Sequence, residues 1–227
     1  MSSSQSKFYG ALALIVVIGA ALIGYVVVNN RKQTAFDSSV SLPPLKEGEL
    51  VSEEVGVSIG AADAPVVIEE YADYLCPYCG MVATLTVPQV LEEYVETGKA
   101  RFIFFDFPVH QGETTYLGAE AARCAGDQGA FWPMNKVLMG RMGEWGEKRD
   151  PRGMFRGYAD GLGLDGKALV ECVKSRKHRE TVLASQMRAR QLGLSGTPTF
   201  IINGRRVGSA MGFDQMSELI EEELAKQ

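Results

Sequence analysis

The sequence predicts an α/β fold with a mixed central sheet and an inserted helical subdomain, preceded by a single N-terminal transmembrane helix. Three observations lead to this fold class. The β-rich runs 66–71 and 100–109 flank a helical stretch, which gives a strand–helix–strand unit. A later run, 199–202, is followed by Asn203-Gly204, a dipeptide typical of a tight hairpin turn. Near the N-terminus, residues 8–28 contain no charged side chain.

The size and composition of the chain exclude several classes of protein. Its 227 residues suit one domain of ordinary size plus an appendage or an insertion. Because 46% of the residues are hydrophobic and 22% are charged, we expect a packed core and exclude global disorder. The net charge of -5 argues against a nucleic-acid partner, since nucleic-acid binders usually carry a basic excess.

The uncharged run 8–28 predicts an uncleaved membrane anchor. As a helix it would be about 31 Å long, which matches a hydrocarbon core of about 30 Å. It is longer than the apolar region of a signal peptide, and no clean small-residue cleavage site follows it. Residues 29–50 contain Pro43-Pro44 and show no periodicity, so they are predicted to form a linker. The predicted divisions are a cytoplasmic stub with the anchor over 1–28, this linker, and a folded domain over 51–227.

Basic residues flank the predicted anchor on both sides. Lys7 precedes it, whereas Arg31 and Lys32 follow it. Taken alone, the positive-inside rule therefore favours a cytoplasmic position for the C-terminal side.

The folded domain is predicted to place strands and helices around one long helical segment. A helix should begin at Cys76 and run toward Gly98, and helical sequence fills about 112–192. The first two strands should be parallel with a right-handed crossover, whereas the hairpin strands, 199–202 and 206–209, must be antiparallel. An amphipathic helix closes the domain. The sheet is therefore expected to be mixed, with helices on both faces.

Four cysteines limit the chemistry that the chain can perform. Cys76 and Cys79 form a CxxC pair, while Cys124 and Cys172 lie far from it in the sequence. The count permits two disulfides, one redox pair with two free thiols, or a four-thiolate zinc site. These alternatives imply different compartments, so further observations must decide between them.

The motif Cys76-Pro77-Tyr78-Cys79 has the spacing of a redox-active pair at a helix start. Pro is favoured at the first helical position, which makes Cys76 the N-cap. Residues three apart share a helix face, so the two sulfurs can meet. Free backbone N–H groups and the helix dipole favour a thiolate on Cys76, whose lowered pKa makes it a nucleophile and a good leaving group. Cys79 should lie deeper, keep its proton longer and resolve the mixed disulfide.

Two other uses of this spacing are a structural disulfide and one half of a zinc site. Zinc knuckles normally come in pairs, and the chain has a single CxxC. Redox chemistry is therefore favoured. A second feature is Thr197-Pro198 at the start of a strand, where Pro is tolerated and an X–Pro bond can be cis.

Together, the CPYC motif after a strand and Thr197-Pro198 before a strand–hairpin–helix unit resemble the thioredoxin superfamily. More closely, the chain is similar to the DsbA-like thiol–disulfide oxidoreductases, which carry a helical insertion. The resemblance covers about residues 50–227. It depends on the stretches EEYADYLCPYCG, AARCAGDQGAFWPM, ALVECV and LGLSGTPTFIINGR.

The resemblance implies further site residues. The Thr197–Pro198 bond should be cis and face Cys76, with the Thr197 backbone pairing with an extended substrate strand. Glu70, six residues before Cys76, stands where the family often carries a buried acid that assists proton transfer to the resolving cysteine. The alternative for Glu70 is an ordinary edge or surface glutamate, and Asp73 is a second candidate acid.

Cys124 and Cys172 resemble a pair that many of these proteins carry in two insertion helices. The resemblance favours a structural disulfide over two inert buried thiols, and closing this loop would stabilise the fold by about 4 kcal/mol in the chain-entropy model. Such a disulfide implies an oxidising compartment, which outweighs the charges of Arg31 and Lys32. The expected location is the cytoplasmic membrane, with a single span and the catalytic domain on the extracytoplasmic side.

The chain departs from the family pattern at Tyr78, where many members carry His. Because the two middle residues of the motif tune its redox poise, this leaves the oxidising strength open. Pro88 removes a backbone hydrogen bond inside the first helix and should kink it. The two histidines, His110 and His178, are isolated in the sequence and are predicted to be non-catalytic.

The expected function is that of a membrane-anchored protein-disulfide oxidoreductase, with a dithiol oxidase favoured over a reductase or isomerase. Its partners would be the thiols of unfolded or partly folded proteins and a membrane redox protein that recycles the CPYC pair. We expect a monomer with no cofactor and no resident metal. An isomerase would usually need a dimerisation module, and none is visible in residues 29–50. A thiolate metal chaperone is the alternative from another class, with Cys76 and Cys79 as ligands and Met81 as the nearby candidate for a third.

Overall fold

The computed structural model describes Gly19 and residues 50–227. The predicted anchor and the predicted linker lie outside the described residues, apart from Gly19 and Leu50. Among the described residues, no helix has the length and apolar character needed to cross a membrane.

Five strands form one mixed sheet in the order β1-β3-β2-β4-β5. The strands are β1 (Val57–Ile59), β2 (Val66–Ala72), β3 (Ala100–Asp106), β4 (Thr199–Ile202) and β5 (Arg205–Gly208). Strands β2 and β3 are parallel, as the strand–helix–strand unit predicts. The β4–β5 hairpin is antiparallel and turns at Asn203-Gly204, where both residues have positive φ. The mixed sheet predicted from the sequence is therefore confirmed.

Helices pack on this sheet and fill the connection between β3 and β4. They are α1 (Pro77–Leu85), α2 (Val87–Val90), α3 (Thr114–Gly126), α4 (Phe131–Gly140), α5 (Met142–Trp145), α6 (Arg152–Gly161), α7 (Gly166–Lys174), α8 (Arg179–Gln191) and α9 (Phe213–Leu224). Six of them, α3 to α8, lie between β3 and β4, which confirms the predicted helical insertion.

Two apolar clusters cover the two faces of the sheet. Alternation along the strands places Ile68 and Phe102 in one cluster, whereas Tyr71 and Ile103 lie in the other. Helix α9 supplies residues to the first cluster, and α8 supplies residues to both. All four of these side chains are fully buried, and each contributes about 1.5–3 kcal/mol by leaving water. The sheet is thus covered on both faces, as expected.

Several boundaries differ from the sequence predictions. The helix predicted from Cys76 toward Gly98 is interrupted at Thr86, because Pro88 starts a new helical turn, and it ends in a π-helical turn over Leu91–Val95. Strand β3 ends at Asp106 rather than at residue 109, and the hairpin partner begins one residue earlier than predicted. Strand β1 is absent from the sequence prediction.

Candidate active site

Cys76 occupies the N-cap of α1. Its backbone is extended, Pro77 is the first helical residue, and its sulfur accepts a hydrogen bond from the Cys79 backbone N–H at 3.4 Å. Both sulfurs are unbonded, and Cys76 is 4% exposed whereas Cys79 is fully buried. The helix start therefore presents one partly reachable sulfur above one shielded sulfur.

The two thiols of the motif have opposite acidities. A hydrogen bond from the Cys79 thiol, assisted by backbone N–H groups of Tyr78 and Cys79, lowers the pKa of Cys76 to about 6 despite partial burial. Burial, with the neighbouring charge of Cys76, raises the pKa of Cys79 far above its usual range. At neutral pH the reduced pair consequently holds a thiolate on Cys76 and a thiol on Cys79.

The loop before β4 lies against Cys76. The Thr197–Pro198 peptide bond is cis, and the Cys76 thiol donates a hydrogen bond to the Thr197 carbonyl oxygen at 3.3 Å. Residues that are 121 positions apart in the sequence are thus in direct contact. The resemblance alone placed these residues together, because no local pattern links them.

Glu70 is a buried acid whose charge interacts with both cysteines of the motif. It lies on β2, which has neighbours on both sides in the sheet, and its side chain is 2% exposed. Its Oε1 has no hydrogen-bond partner among the described residues. Burial, and then the charge of Cys76, raises the pKa of Glu70 to about 8. The alternative of an edge or surface glutamate is therefore wrong.

Asp73 is an acceptor of hydrogen bonds at the start of the active-site loop. Backbone N–H groups of Leu75, Val109 and His110 and the hydroxyl of Thr115 donate to its carboxylate at 2.5–2.8 Å. Burial opposes ionisation, but these hydrogen bonds outweigh it and lower the pKa of Asp73. The residue is thus a permanent anion that fixes loops, and it is poorly suited to carry a proton.

Cys124 and Cys172 form a disulfide that joins α3 to α7 with a Cα–Cα distance of 5.9 Å. The bond excludes the four-thiolate zinc site that the cysteine count permits. His178 lies beside it, and one ligand atom from each of these three residues falls within a 4.8 Å cluster. This cluster belongs to the helical insertion, apart from the Cys76–Cys79 pair.

An exposed apolar stripe on α1 borders the motif, and the sequence interpretation missed it. Tyr78, Met81 and Leu85 are 63%, 44% and 62% exposed. Met81 also lines a pocket of about 280 Å³ between α1 and the insertion, together with Met139 and Met142. The three-then-four spacing of the stripe is the signal that could have revealed it, because such residues share a helix face.

Comparisons with known proteins agree with this architecture. A family model described as Thioredoxin matches residues 52–222. The sodium/proton antiporter NhaA 1 of Salinispora arenicola is 30% identical over 225 residues, which cover 91% of this chain and 31% of the antiporter. The chain therefore spans less than a third of the length of the antiporter. The probable disulfide bond formation protein D of Bacillus anthracis is 26% identical over 220 residues, which cover 95% of this chain and 94% of that protein.

Solved structures share the fold. Oxidised BdbD from Bacillus subtilis superposes with a TM-score of 0.69 at 22% identity, covering 78% of this chain and 96% of BdbD. Alpha-DsbA1 from Wolbachia pipientis gives a TM-score of 0.68 at 21% identity, covering 83% of this chain and 96% of that chain.

Proposed function

Since the chain belongs to the thioredoxin family, we propose that it is a protein-disulfide oxidoreductase whose redox centre is the Cys76–Cys79 pair. The observation that carries the proposal is the opposite acidity of the two thiols at the start of α1. A low-pKa sulfur that can be approached, next to a buried protonated one, suits thiol–disulfide exchange. The name of the Bacillus anthracis relative supports the same chemistry.

The proposed cycle starts from the oxidised pair. A substrate thiolate attacks the Cys76 sulfur, the Cys76–Cys79 bond breaks, and Cys79 leaves with the electron pair. A second substrate thiolate then attacks the substrate sulfur of the mixed disulfide and releases Cys76 as a thiolate. Two substrate thiols are thereby oxidised to one disulfide, while the enzyme gains two electrons. The lowered pKa of Cys76 favours the second step, because a weaker base is a better leaving group.

Glu70 is proposed to supply the proton that Cys79 takes up when it leaves. With a pKa of about 8, Glu70 is mostly protonated at neutral pH. Its buried Oε1 has no hydrogen-bond partner within the part of the chain that the structure describes, and its charge would act on both cysteines of the pair. In the reverse direction the same carboxylate accepts the proton of Cys79.

The loop at Thr197–Pro198 is proposed to hold the substrate backbone beside Cys76. Its contact with the Cys76 sulfur supports this role, since a polypeptide bonded to that sulfur must pass the Thr197 carbonyl. The exposed stripe of Tyr78, Met81 and Leu85 would contact apolar side chains of unfolded substrates.

We further propose that the direction in the cell is oxidation and that residues 8–28 anchor the domain to the cytoplasmic membrane, with residues 51–227 on the extracytoplasmic side. The Cys124–Cys172 disulfide supports an oxidising compartment. A membrane redox protein would then recycle the pair, and the chain would act as a monomer. A reductase or isomerase on the same fold is the alternative.

The reduction potential of the Cys76–Cys79 pair tests the direction. We expect a value well above about -270 mV, the potential of thioredoxin, because the stabilised Cys76 thiolate favours the reduced form. A value near that of thioredoxin would reject the oxidase and leave the reductase. Thiol trapping in cells would report the location of the domain and the steady-state form of the pair, and an accessible, mainly reduced pair in the cytoplasm would reject the proposed orientation.

A further inference from the structure

The Cys124–Cys172 disulfide joins the last turn of α3 to the last turn of α7, close to the start of α8. Cys124 is in the last turn of α3, Cys172 is on α7, and His178 is the N-cap of α8. The two sulfurs and one ring nitrogen of His178 all lie within 4.8 Å of one another. Two cysteines and a histidine are ligands that Zn²⁺ prefers.

The disulfide itself is not a zinc-binding group, because zinc needs thiolates. A dithiol reductant converts the disulfide into two thiols that can bind zinc. Its two S–H groups are oxidised to a disulfide, and the Cys124–Cys172 bond breaks as each sulfur gains an electron and a proton. Zn²⁺ can then displace the two protons and bind both thiolates.

We propose that reduction of the Cys124–Cys172 disulfide creates a zinc site formed by Cys124, Cys172 and His178. Tetrahedral zinc with Zn–S bonds of about 2.3 Å places its two sulfurs about 3.8 Å apart. The Cα atoms of the two cysteines are 5.9 Å apart, so rotation of the side chains can give this separation while the helices stay in place. The imidazole is already within the 4.8 Å cluster, so a movement of about an ångström completes the set.

Asp127 can hydrogen-bond a zinc ligand without binding the metal itself, as carboxylates around metal sites usually do. Its Oδ2 lies 2.9 Å from His178 Nε2 and 3.7 Å from the Cys172 sulfur. With Nε2 bonded to Asp127, the proposed zinc ligand is Nδ1. A carboxylate bonded to the other nitrogen of a ligating histidine fixes the ring and strengthens it as a donor. Asp127 is therefore a positioning residue, and solvent would take the fourth place on the metal.

Burial and charge also suit a divalent cation. Cys124 and His178 are 1% and 2% exposed, whereas Cys172 is half-buried and provides access from solvent. Two thiolates neutralise the charge of Zn²⁺. The charge of Asp127 is balanced by Lys177, whose Nζ is 2.8 Å from Oδ2. The charges of Zn²⁺, the two thiolates, Asp127 and Lys177 would thus sum to zero.

The test uses the full chain with Cys76→Ser and Cys79→Ser, which removes the other thiol pair. The variant is reduced with a phosphine, freed of reductant without oxygen, and dialysed against ZnCl₂. We expect about one zinc per chain, and none in the same variant with the disulfide intact. Co²⁺ in place of zinc should give thiolate-to-cobalt charge-transfer bands and the d–d bands of a tetrahedral ion. Substoichiometric zinc, or octahedral cobalt without thiolate bands, would overturn the proposal.

Two variants locate the site. His178→Ala should weaken zinc binding by at least tenfold, and Asp127→Asn by 10–100-fold, as loss of a carboxylate bonded to a metal ligand usually does. His110→Ala is the matched control, because His110 also bonds an aspartate at 2.9 Å but belongs to the Asp73 network. Equal affinity in the His178 variant and its control would refute the ligand set. Zinc should also raise the melting temperature of the chain with Cys76→Ser and Cys79→Ser when its Cys124–Cys172 pair is reduced. It should leave the melting temperature unchanged when that disulfide is intact. None of these outcomes depends on the redox role of Cys76 and Cys79.

Discussion

The two cysteine pairs of this chain have the same atoms in contrasting surroundings. Cys76 and Cys79 are three residues apart at a helix start and are unbonded, whereas Cys124 and Cys172 are 48 residues apart on two helices and are bonded. A hydrogen bond from the Cys79 thiol, together with helix-end N–H groups, stabilises a thiolate on Cys76. The second pair lies between helices that many other contacts hold together.

This difference separates a reactive pair from a structural one. The short loop between Cys76 and Cys79 restricts the unfolded chain little, so their bond can break and form without a large change in stability. A bond across 48 residues removes many conformations of the unfolded chain. Local electrostatics thus govern the first pair, and chain topology governs the second.

The largest expected effect is loss of activity when the first pair is changed. Cys76→Ser should abolish oxidation of a reduced, unfolded substrate, because the Cys76–Cys79 disulfide that accepts the electrons can no longer form. Cys79→Ser cannot form the Cys76–Cys79 disulfide and should lose oxidation as well. Its Cys76 thiolate should instead attack a disulfide-bonded substrate, displace one substrate thiolate and accumulate a mixed disulfide that gel electrophoresis detects without reductant. Replacing both Cys124 and Cys172 by Ala should leave most of the activity at a temperature where that variant is folded. Activity in Cys76→Ser would contradict the assignment.

Replacing Cys124 and Cys172 should lower the free energy of unfolding more than replacing Cys76 and Cys79. Removing both Cys124 and Cys172 is expected to lower the free energy of unfolding by about 4 kcal/mol in the chain-entropy model. Replacing Cys76 and Cys79 by Ala in the matched control should change it much less. Urea denaturation of the oxidised proteins measures both. Equal losses in the free energy of unfolding would mean that the length of the closed loop does not determine how much each disulfide stabilises the fold.

The sequence predicted the position of Cys76 and Cys79 at a helix start, but its local patterns did not predict the long-range contacts around either cysteine pair. Spacing and helix capping were enough to place Cys76 at the N-cap, and the Asn203-Gly204 turn was enough to predict the hairpin. Contact of Thr197 with Cys76 joins residues 121 positions apart, and only the resemblance indicated it. Capping and turn rules concern residues that are close in the sequence. Contacts between distant residues are set by the tertiary structure, so these rules cannot predict them.

The parts that sequence reasoning missed all depend on such contacts. Strand β1 has three residues, too few for an alternating pattern, and it forms because β3 offers an edge. The partners of Asp73 lie up to 42 residues away, so its identity as a fixed anion was not visible. The break at Thr86 follows from Pro88, which predicted a kink but not two separate helices.

A smaller effect concerns Glu70 and pH. Because burial raises its pKa from 4.5 to about 8, the folded state binds its proton more tightly than the unfolded state does. This contribution to stability is complete below pH 4.5 and is lost as pH rises toward 8, at up to roughly 1.4 kcal/mol per pH unit. Glu70→Gln should remove this loss, so the reduced variant should gain stability relative to the parent between pH 5 and 8.

Urea denaturation at these pH values measures the difference, with the exposed Glu54→Gln as the control for the same chemical change. Parallel pH profiles for the parent and Glu70→Gln would show that Glu70 is ionised in the folded protein. It could then not deliver a proton to Cys79.

The smallest expected effect is a shift in the titration of Cys76. Thiolate absorbance of the reduced protein should rise with a midpoint near pH 6, because Cys79 and the helix N-terminus stabilise the anion. Cys79→Ala removes the largest of these contributions, the hydrogen bond from the Cys79 thiol, so the midpoint should rise by about one pH unit. The Cys124–Cys172 disulfide adds no signal, which makes Cys76 the single titrating thiol of the variant. A midpoint that stays near 6 would assign the acidity to the backbone N–H groups instead, and the resolving cysteine would then have no part in activating its neighbour.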